Sequence, residues 1–239
     1  MIGQSICDVD AAPGVAIAVT IGKVAAFGPD GGASAIAKSP VPSALVTLDG
    51  IEGDEHGDPV KHGGPDKVVH HYPVEHYRHW RAQGVTSALL DAPGAFGENL
   101  TTLGMTEETV CVGDVYAVGN GGLVLQAAQV RQPCWKLNVR FGVPLMAANV
   151  QRACRMGWHY RALHPGTLAR GDALVLIDRP HPAWTLAHLA DKLYVDSLDR
   201  DALAEIVELE FLADKLKDVA RTRLATMQVE SWEKRLRAR

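Results

Sequence analysis

At 239 residues, with 47% hydrophobic and 22% charged residues, the chain has the size and composition of one soluble globular domain plus a small appendage. A net charge of −4 gives no general pull toward nucleic acid or an anionic membrane surface, and no apolar stretch approaches the length of a membrane span. Four widely spaced cysteines (Cys7, Cys111, Cys134, Cys154) form no C-x-x-C pair, and the first residues lack a secretion-signal pattern, so reduced thiols in a cytoplasm are expected.

In chain order, residues 14–27 read as a strand: Val15, Ile17, Val19 and Ile21 alternate with small residues, and Gly22-Lys23 marks a turn or bulge. Further strands are expected at 44–48, 67–72, 99–103, 114–118, 123–127 and 173–177, separated by turns such as Gly63-Gly64 and Gly119-Asn120-Gly121-Gly122. Pro73 suits the first turn of a helix over 74–82 that stops at Gly84. A second helix is expected over 143–156, where Leu145, Met146, Asn149, Val150 and Ala153 recur at helical spacing. Many short strands with few helices between them predict a mainly β chain with helices (α+β), built on a closed or nearly closed barrel.

After Arg179-Pro180-His181-Pro182 the pattern becomes helical. Leu186, Leu189 and Leu193, then Leu203, Ile206 and Leu209, then Leu212, Leu216, Val219 and Leu224 predict three amphipathic helices, with Thr185 and Asp199 capping the first two. The expected division is a barrel over 1–180 and a three-helix domain over 183–239. All the chemical clusters precede that boundary, so the tail is expected to stand apart from the site.

The most informative cluster is Gln129-Val130-Arg131-Gln132-Pro133-Cys134-Trp135-Lys136-Leu137. A strand leads into it, Pro133 ends the ladder, and the Arg131 guanidinium three residues before Cys134 favours a thiolate, the form that ligates soft metals or attacks electrophiles. A half-buried structural cysteine is the bland alternative for an isolated Arg-x-x-Cys.

A second cluster is Lys61-His62-Gly63-Gly64-Pro65-Asp66-Lys67-Val68-Val69-His70-His71-Tyr72-Pro73. Gly63 and Gly64 give a tight turn whose amides can hold an anion, with Asp66 beside it, and Lys67 can reach a phosphate or a thiolate. If Lys67 opens a strand, Lys67, Val69 and His71 share one face and His70 the other, so only one histidine points into a site. His71 is the candidate, and the choice between the two stays open. Six histidines gather between His56 and His79, but the spacing is not H-E-x-x-H and no cysteine pair completes a zinc set. His76 and His79 are expected on a helix surface.

The third cluster, Gly94-Ala95-Phe96-Gly97-Glu98-Asn99, offers a carboxylate and an amide at a strand mouth, either as ligand contacts or as partners of their own turn. No dinucleotide fingerprint, P-loop, nucleophile elbow or ferredoxin-type cysteine spacing occurs.

In order, His62-Gly63-Gly64-Pro65-Asp66-Lys67, Gly97-Glu98-Asn99, Val112-Gly113-Asp114 and Arg131-Gln132-Pro133-Cys134-Trp135-Lys136-Leu137 resemble the motifs of MOSC-domain proteins, over about residues 15–177. Within these, the chain is most similar to the YiiM-type 6-hydroxylaminopurine resistance subgroup, which appends a small three-helix domain. Val130 departs from the family pattern, which has proline immediately before the arginine.

The resemblance implies a MOSC-type β-barrel that binds the molybdenum cofactor. Cys134 would be the molybdenum ligand, and Lys67 and Arg131 would complete a Lys-Arg-Cys triad. His62, Gly63, Gly64, Asp66, Lys67, His71, Glu98, Asn99 and Arg131 are the expected cofactor-binding residues. The implied activity is reduction of N-hydroxylated bases or related N-hydroxy compounds by a cytoplasmic oxidoreductase. An external reductase would donate the electrons, no nucleic-acid or membrane partner is expected, and a homodimer is left open. Two alternatives remain at the level of sequence: a sulfur carrier with a persulfide on Cys134, and a non-enzymatic cofactor-binding or scaffold module.

Overall fold

The computed structural model describes residues 5–8, 13–58 and 63–237. Strands β1 (Ala16–Gly22), β2 (Ala25–Phe27), β3 (Gly32–Ser34), β4 (Lys38–Val41) and β5 (Ser43–Val46) come first. They are followed by β6 (Val69–His71), helix α1 (Val74–Ala82), β7 (Leu100–Thr102), β8 (Val115–Val118) and β9 (Leu123–Val130). Helices α2 (Lys136–Phe141) and α3 (Met146–Arg152) then precede β10 (Trp158–His164), β11 (Gly166–Ala169) and β12 (Leu174–Asp178). Helices α4 (Leu186–Tyr194), α5 (Arg200–Glu208), α6 (Asp214–Thr226) and α7 (Glu233–Leu236) complete the α+β fold.

Eight strands form one mixed sheet in the order β12-β8-β9-β10-β6-β7-β1-β4, antiparallel except where β6 meets β7 at His71 and Leu100. The sheet curls until β12 meets the start of β1. Val15 bridges Ala173, and Leu174 N donates to Gly14 O at 2.8 Å, so the start of β1 joins β12 and closes a barrel. Val19, Val69, Leu100, Leu125, Trp158 and Tyr160 are fully buried at its centre.

Strand β9 shows how the tail is attached. Its burial is nearly continuous rather than alternating, because the barrel lies on one side and the tail on the other. Ala213 N donates to Ala128 O at 2.9 Å, and Val112 N to Trp184 O at 2.9 Å. Buried residues of barrel and tail form one hydrophobic core. The three tail helices fall where sequence periodicity puts them, and Thr185 and Asp199 are their caps: Thr185 accepts from His188 N, and Asp199 from the amides of Asp201 and Ala202.

Two expectations change. The helix expected over 143–156 is shorter, α3 alone, because Pro144 delays its start, and a separate helix not expected from sequence, α2, precedes it and ends at Gly142 in a left-handed conformation. Residues 65–67 are a 3-10 turn rather than the opening of a strand, so β-alternation begins only at Val69.

Candidate functional site

A cavity of about 820 Å³ opens where β4, β6 and β9 converge, with Lys38, Lys67, His70, Asn99, Arg131 and Cys134 on its barrel wall. Strand β9 ends at Val130 and delivers Arg131 inward, 8% exposed, and Cys134 follows on the loop before α2. Arg131 N donates to Gly157 O at 2.9 Å, and its Nη2 to Phe96 O at 3.3 Å. Its Nη1 is buried with no hydrogen-bond partner among the described residues. Burial lowers the pKa of this guanidinium, and Cys134, Tyr72 and Glu98 oppose that shift.

The loop that receives Arg131 is wound around Glu98. This carboxylate is fully buried and accepts from Gly94 N at 2.6 Å, Phe96 N at 3.0 Å, Thr101 Oγ1 at 3.3 Å and the Tyr77 hydroxyl. At Gly97, φ is +78°, and an added Cβ would lie 3.0 Å from Ile36 Cγ1, so only glycine suits this turn. Glu98 therefore shapes the Arg131 seat and does not line the cavity.

Asn99 does line it, with its amide fully used. Its Oδ1 accepts from His70 N at 3.1 Å, and its Nδ2 donates to Thr20 O at 3.1 Å and Asp54 Oδ2 at 3.0 Å. Asp54 in turn holds the buried Lys38 ammonium at 2.5 Å. Burial lowers the pKa of Lys38, against the pull of Asp54.

His70, not His71, faces the cavity. Because Lys67 lies in the 3-10 turn, the shared-face argument for Lys67, Val69 and His71 does not apply. His71 is enclosed in the core, with Nδ1 3.1 Å from Tyr160 Oη, Nε2 2.8 Å from Thr102 Oγ1, and its ring against Trp158. His70 Nε2 is buried without a hydrogen-bond partner among the described residues, and burial followed by the Arg131 charge holds the ring's pKa well below the usual value. His76 also departs from expectation: it is fully buried, with Nε2 2.6 Å from Glu107 Oε2.

Of the residues proposed from sequence, the structure brings Lys67, Asn99, Arg131 and Cys134 to one cavity. Asp66 instead pairs with Arg161 at 2.6 Å, and Gly63 and Gly64 lie outside the cavity wall. His62 falls outside the described residues. Of the two histidines left open the site takes His70, and it also takes residues that sequence reading missed: Lys38 and His56 from the barrel, and Lys215, Lys234 and Arg235 from the tail. The expectation that the tail stands apart is thus corrected. Lys67 shows the closeness directly, since its pKa is lowered first by burial and next by the Lys215 ammonium.

The arrangement suits an anion. Cations outnumber acids around the wall, two ammonium groups repel each other across it, and two of the residues that line it carry a buried polar atom, Arg131 Nη1 and His70 Nε2, with no hydrogen-bond partner among the described residues. A thiol stands beside them. These residues fit an anionic, phosphate-bearing group with a soft metal for Cys134 to ligate.

Comparison with known proteins agrees with this geometry. Residues 58–175 match the MOSC domain model, and residues 184–226 match the YiiM-like, 3-alpha helix domain. The chain is 40% identical to Protein YiiM of Escherichia coli K12 over 162 residues, covering 67% of this chain and 71% of that protein. It is 37% identical over 175 residues to a protein of Gibberella moniliformis named Reductase, covering 73% of this chain but only 31% of that longer protein. The crystal structure of YiiM from Escherichia coli superposes with a TM-score of 0.74 at 29% identity, covering 90% of this chain and 98% of that one. Sequence, fold and the residues of the cavity together place the chain in the MOSC-domain family, in its YiiM-like branch with the C-terminal three-helix domain.

Proposed function

We propose that the chain is a molybdenum-cofactor-dependent oxidoreductase that reduces N-hydroxylated bases or related N-hydroxy compounds, 6-hydroxylaminopurine among them, to amines. The observation that carries this reading is Arg131, which lines the same cavity as Cys134 and whose buried Nη1 has no hydrogen-bond partner among the described residues. A guanidinium in that state calls for an anionic ligand beside the thiol. Family membership and a reductase-named relative support the redox chemistry. Four free cysteines and the need for a separate reductase as electron donor suit the cytoplasm.

The overall change is R–NHOH plus two electrons and two protons to R–NH2 plus water. When bound, the cofactor supplies the two-electron couple, and the chain supplies the rest. Cys134 holds the metal, while Arg131 and the Lys67–Lys215 pair hold the anionic part of the cofactor. His70, held neutral by burial, forms part of the cavity wall and adds no charge of its own. The Lys67 ammonium, made more acidic by burial and by Lys215, delivers a proton as the N–O bond breaks.

The test is elemental analysis and pterin fluorescence on protein purified from a cofactor-competent host. Stoichiometric molybdenum that is lost in Cys134→Ser supports the reading. A labile sulfane sulfur on Cys134 in molybdenum-free protein would replace it with sulfur carriage.

A further inference from the structure

The chain does not end its contribution to the site at α6. At Met227 (φ +50°) it turns back, beyond residue 226 where the three-helix match stops. The returning segment is latched by Arg223, which is fully buried. Arg223 Nε donates to Glu230 Oε2 at 3.0 Å, Nη2 to Glu230 Oε1 at 2.7 Å, and Nη1 to Leu193 O at 2.7 Å. Trp232 Nε1 donates to Glu230 Oε1 at 2.8 Å, and its ring packs 5.9 Å from that of Tyr194.

Past the latch, the segment grips the cysteine loop. Trp135 N donates to Arg235 O at 2.8 Å, and Arg235 Nη1 donates to Pro133 O at 2.7 Å. Arg235 Nη2 reaches Gln151 Oε1 at 2.6 Å, and Asn138 Nδ2 donates to Leu236 O at 2.8 Å. The residues on both sides of Cys134 are thereby fixed by one arginine that also lines the cavity. Cys134 is close enough to favour the charged form of both Arg131 and Arg235.

We propose that residues 227–237 form a strap that completes the Cys134 site, with Arg235 as a positioning residue that fixes the 133–135 backbone and presents a second guanidinium to an anionic ligand held there. The ligand part rests on the cofactor reading above; the positioning part stands without it. Lysine cannot replace Arg235, because one ammonium cannot span Pro133 O and Gln151 Oε1 with the planar fork that arginine offers.

The experiment uses the full chain in three variants: Glu230→Ala, which breaks the latch from outside the cavity, Arg235→Ala and Arg235→Lys. Hydrogen exchange at the Trp135 amide is read on ligand-free protein, and molybdopterin content is read by pterin fluorescence after purification from a cofactor-competent host. Both alanine variants are expected to exchange the Trp135 amide about tenfold faster and to retain about tenfold less pterin, with a wild-type far-ultraviolet spectrum. Arg235→Lys is expected to recover pterin only in part. Unchanged Trp135 exchange in Arg235→Ala overturns the positioning role, as does a lysine variant equal to wild type in both readouts. Faster exchange with wild-type pterin content overturns the ligand role. Wild-type protein without pterin refutes the cofactor reading itself, while exchange still decides the strap.

Discussion

Cys134 and Glu98 show how differently two polar residues in neighbouring motifs can serve a site. Cys134 is half-buried on a loop whose backbone is held by others, so exchanging its sulfur for oxygen leaves packing intact and removes a soft ligand. Cells relying on Cys134→Ser are expected to be as sensitive to 6-hydroxylaminopurine as cells lacking the protein, while the purified variant melts at the wild-type temperature. Glu98 has no such freedom. Glu98→Gln turns an acceptor of four bonds into a group with its own N–H donors facing donors, at a cost of about 1–3 kcal/mol that denaturant titration would read. The sequence marks both residues as polar and motif-borne, and only spatial arrangement separates ligand from scaffold. Lys67, Asn99, Arg131 and Cys134 were legible because each sits at a turn or strand end inside a recognisable motif. Lys38 was not, since a lone lysine opening a short strand has no local pattern to distinguish a buried ammonium from a solvated one.

Among the elements, β6 is short and fully enclosed, and it carries two adjacent histidines that burial keeps neutral. Their folded pKa values lie well below the unfolded value, so the unfolded chain takes up protons first as pH falls. Stability is therefore full above about pH 6.5 and declines below it, by up to about 1.4 kcal/mol per pH unit for each ring. Urea midpoints measured at pH 7.5 and 5.5 are expected to show the lower value at 5.5, and equal midpoints would mean that these rings are charged in the fold. The same strand explains a misreading: the alternation was right, but its starting point was set at Lys67 instead of Val69. Strand β10 escaped notice altogether, although it sits between β9 and β6. Its inward Trp158, Tyr160 and Ala162 alternate with His159 and Arg161, and these polar residues mask the apolar face in the sequence.

Taken whole, the molecule joins what the Pro180–Pro182 segment appears to divide. The helices after it were legible because their periodicity and caps are local, whereas their docking depends on contacts between residues far apart in sequence. A chain ending near Asp178 would expose the outer face of β9 and strand Val112 N and Ala128 O without their tail partners. It is expected to aggregate or to bind hydrophobic dyes, with weakened near-ultraviolet dichroism; a cooperative melt at the wild-type temperature would show the barrel to be self-sufficient. Synthesis order gives the strap one more meaning. In a chain emerging from the ribosome, every barrel strand from β1 to β12 is synthesised well before residue 235. During that interval the cysteine loop is present but unclamped, and the cavity lacks the side that the strap provides. If the proposed strap acts as argued, the cavity gains its full grip on an anion only once Arg235 has reached the cysteine loop.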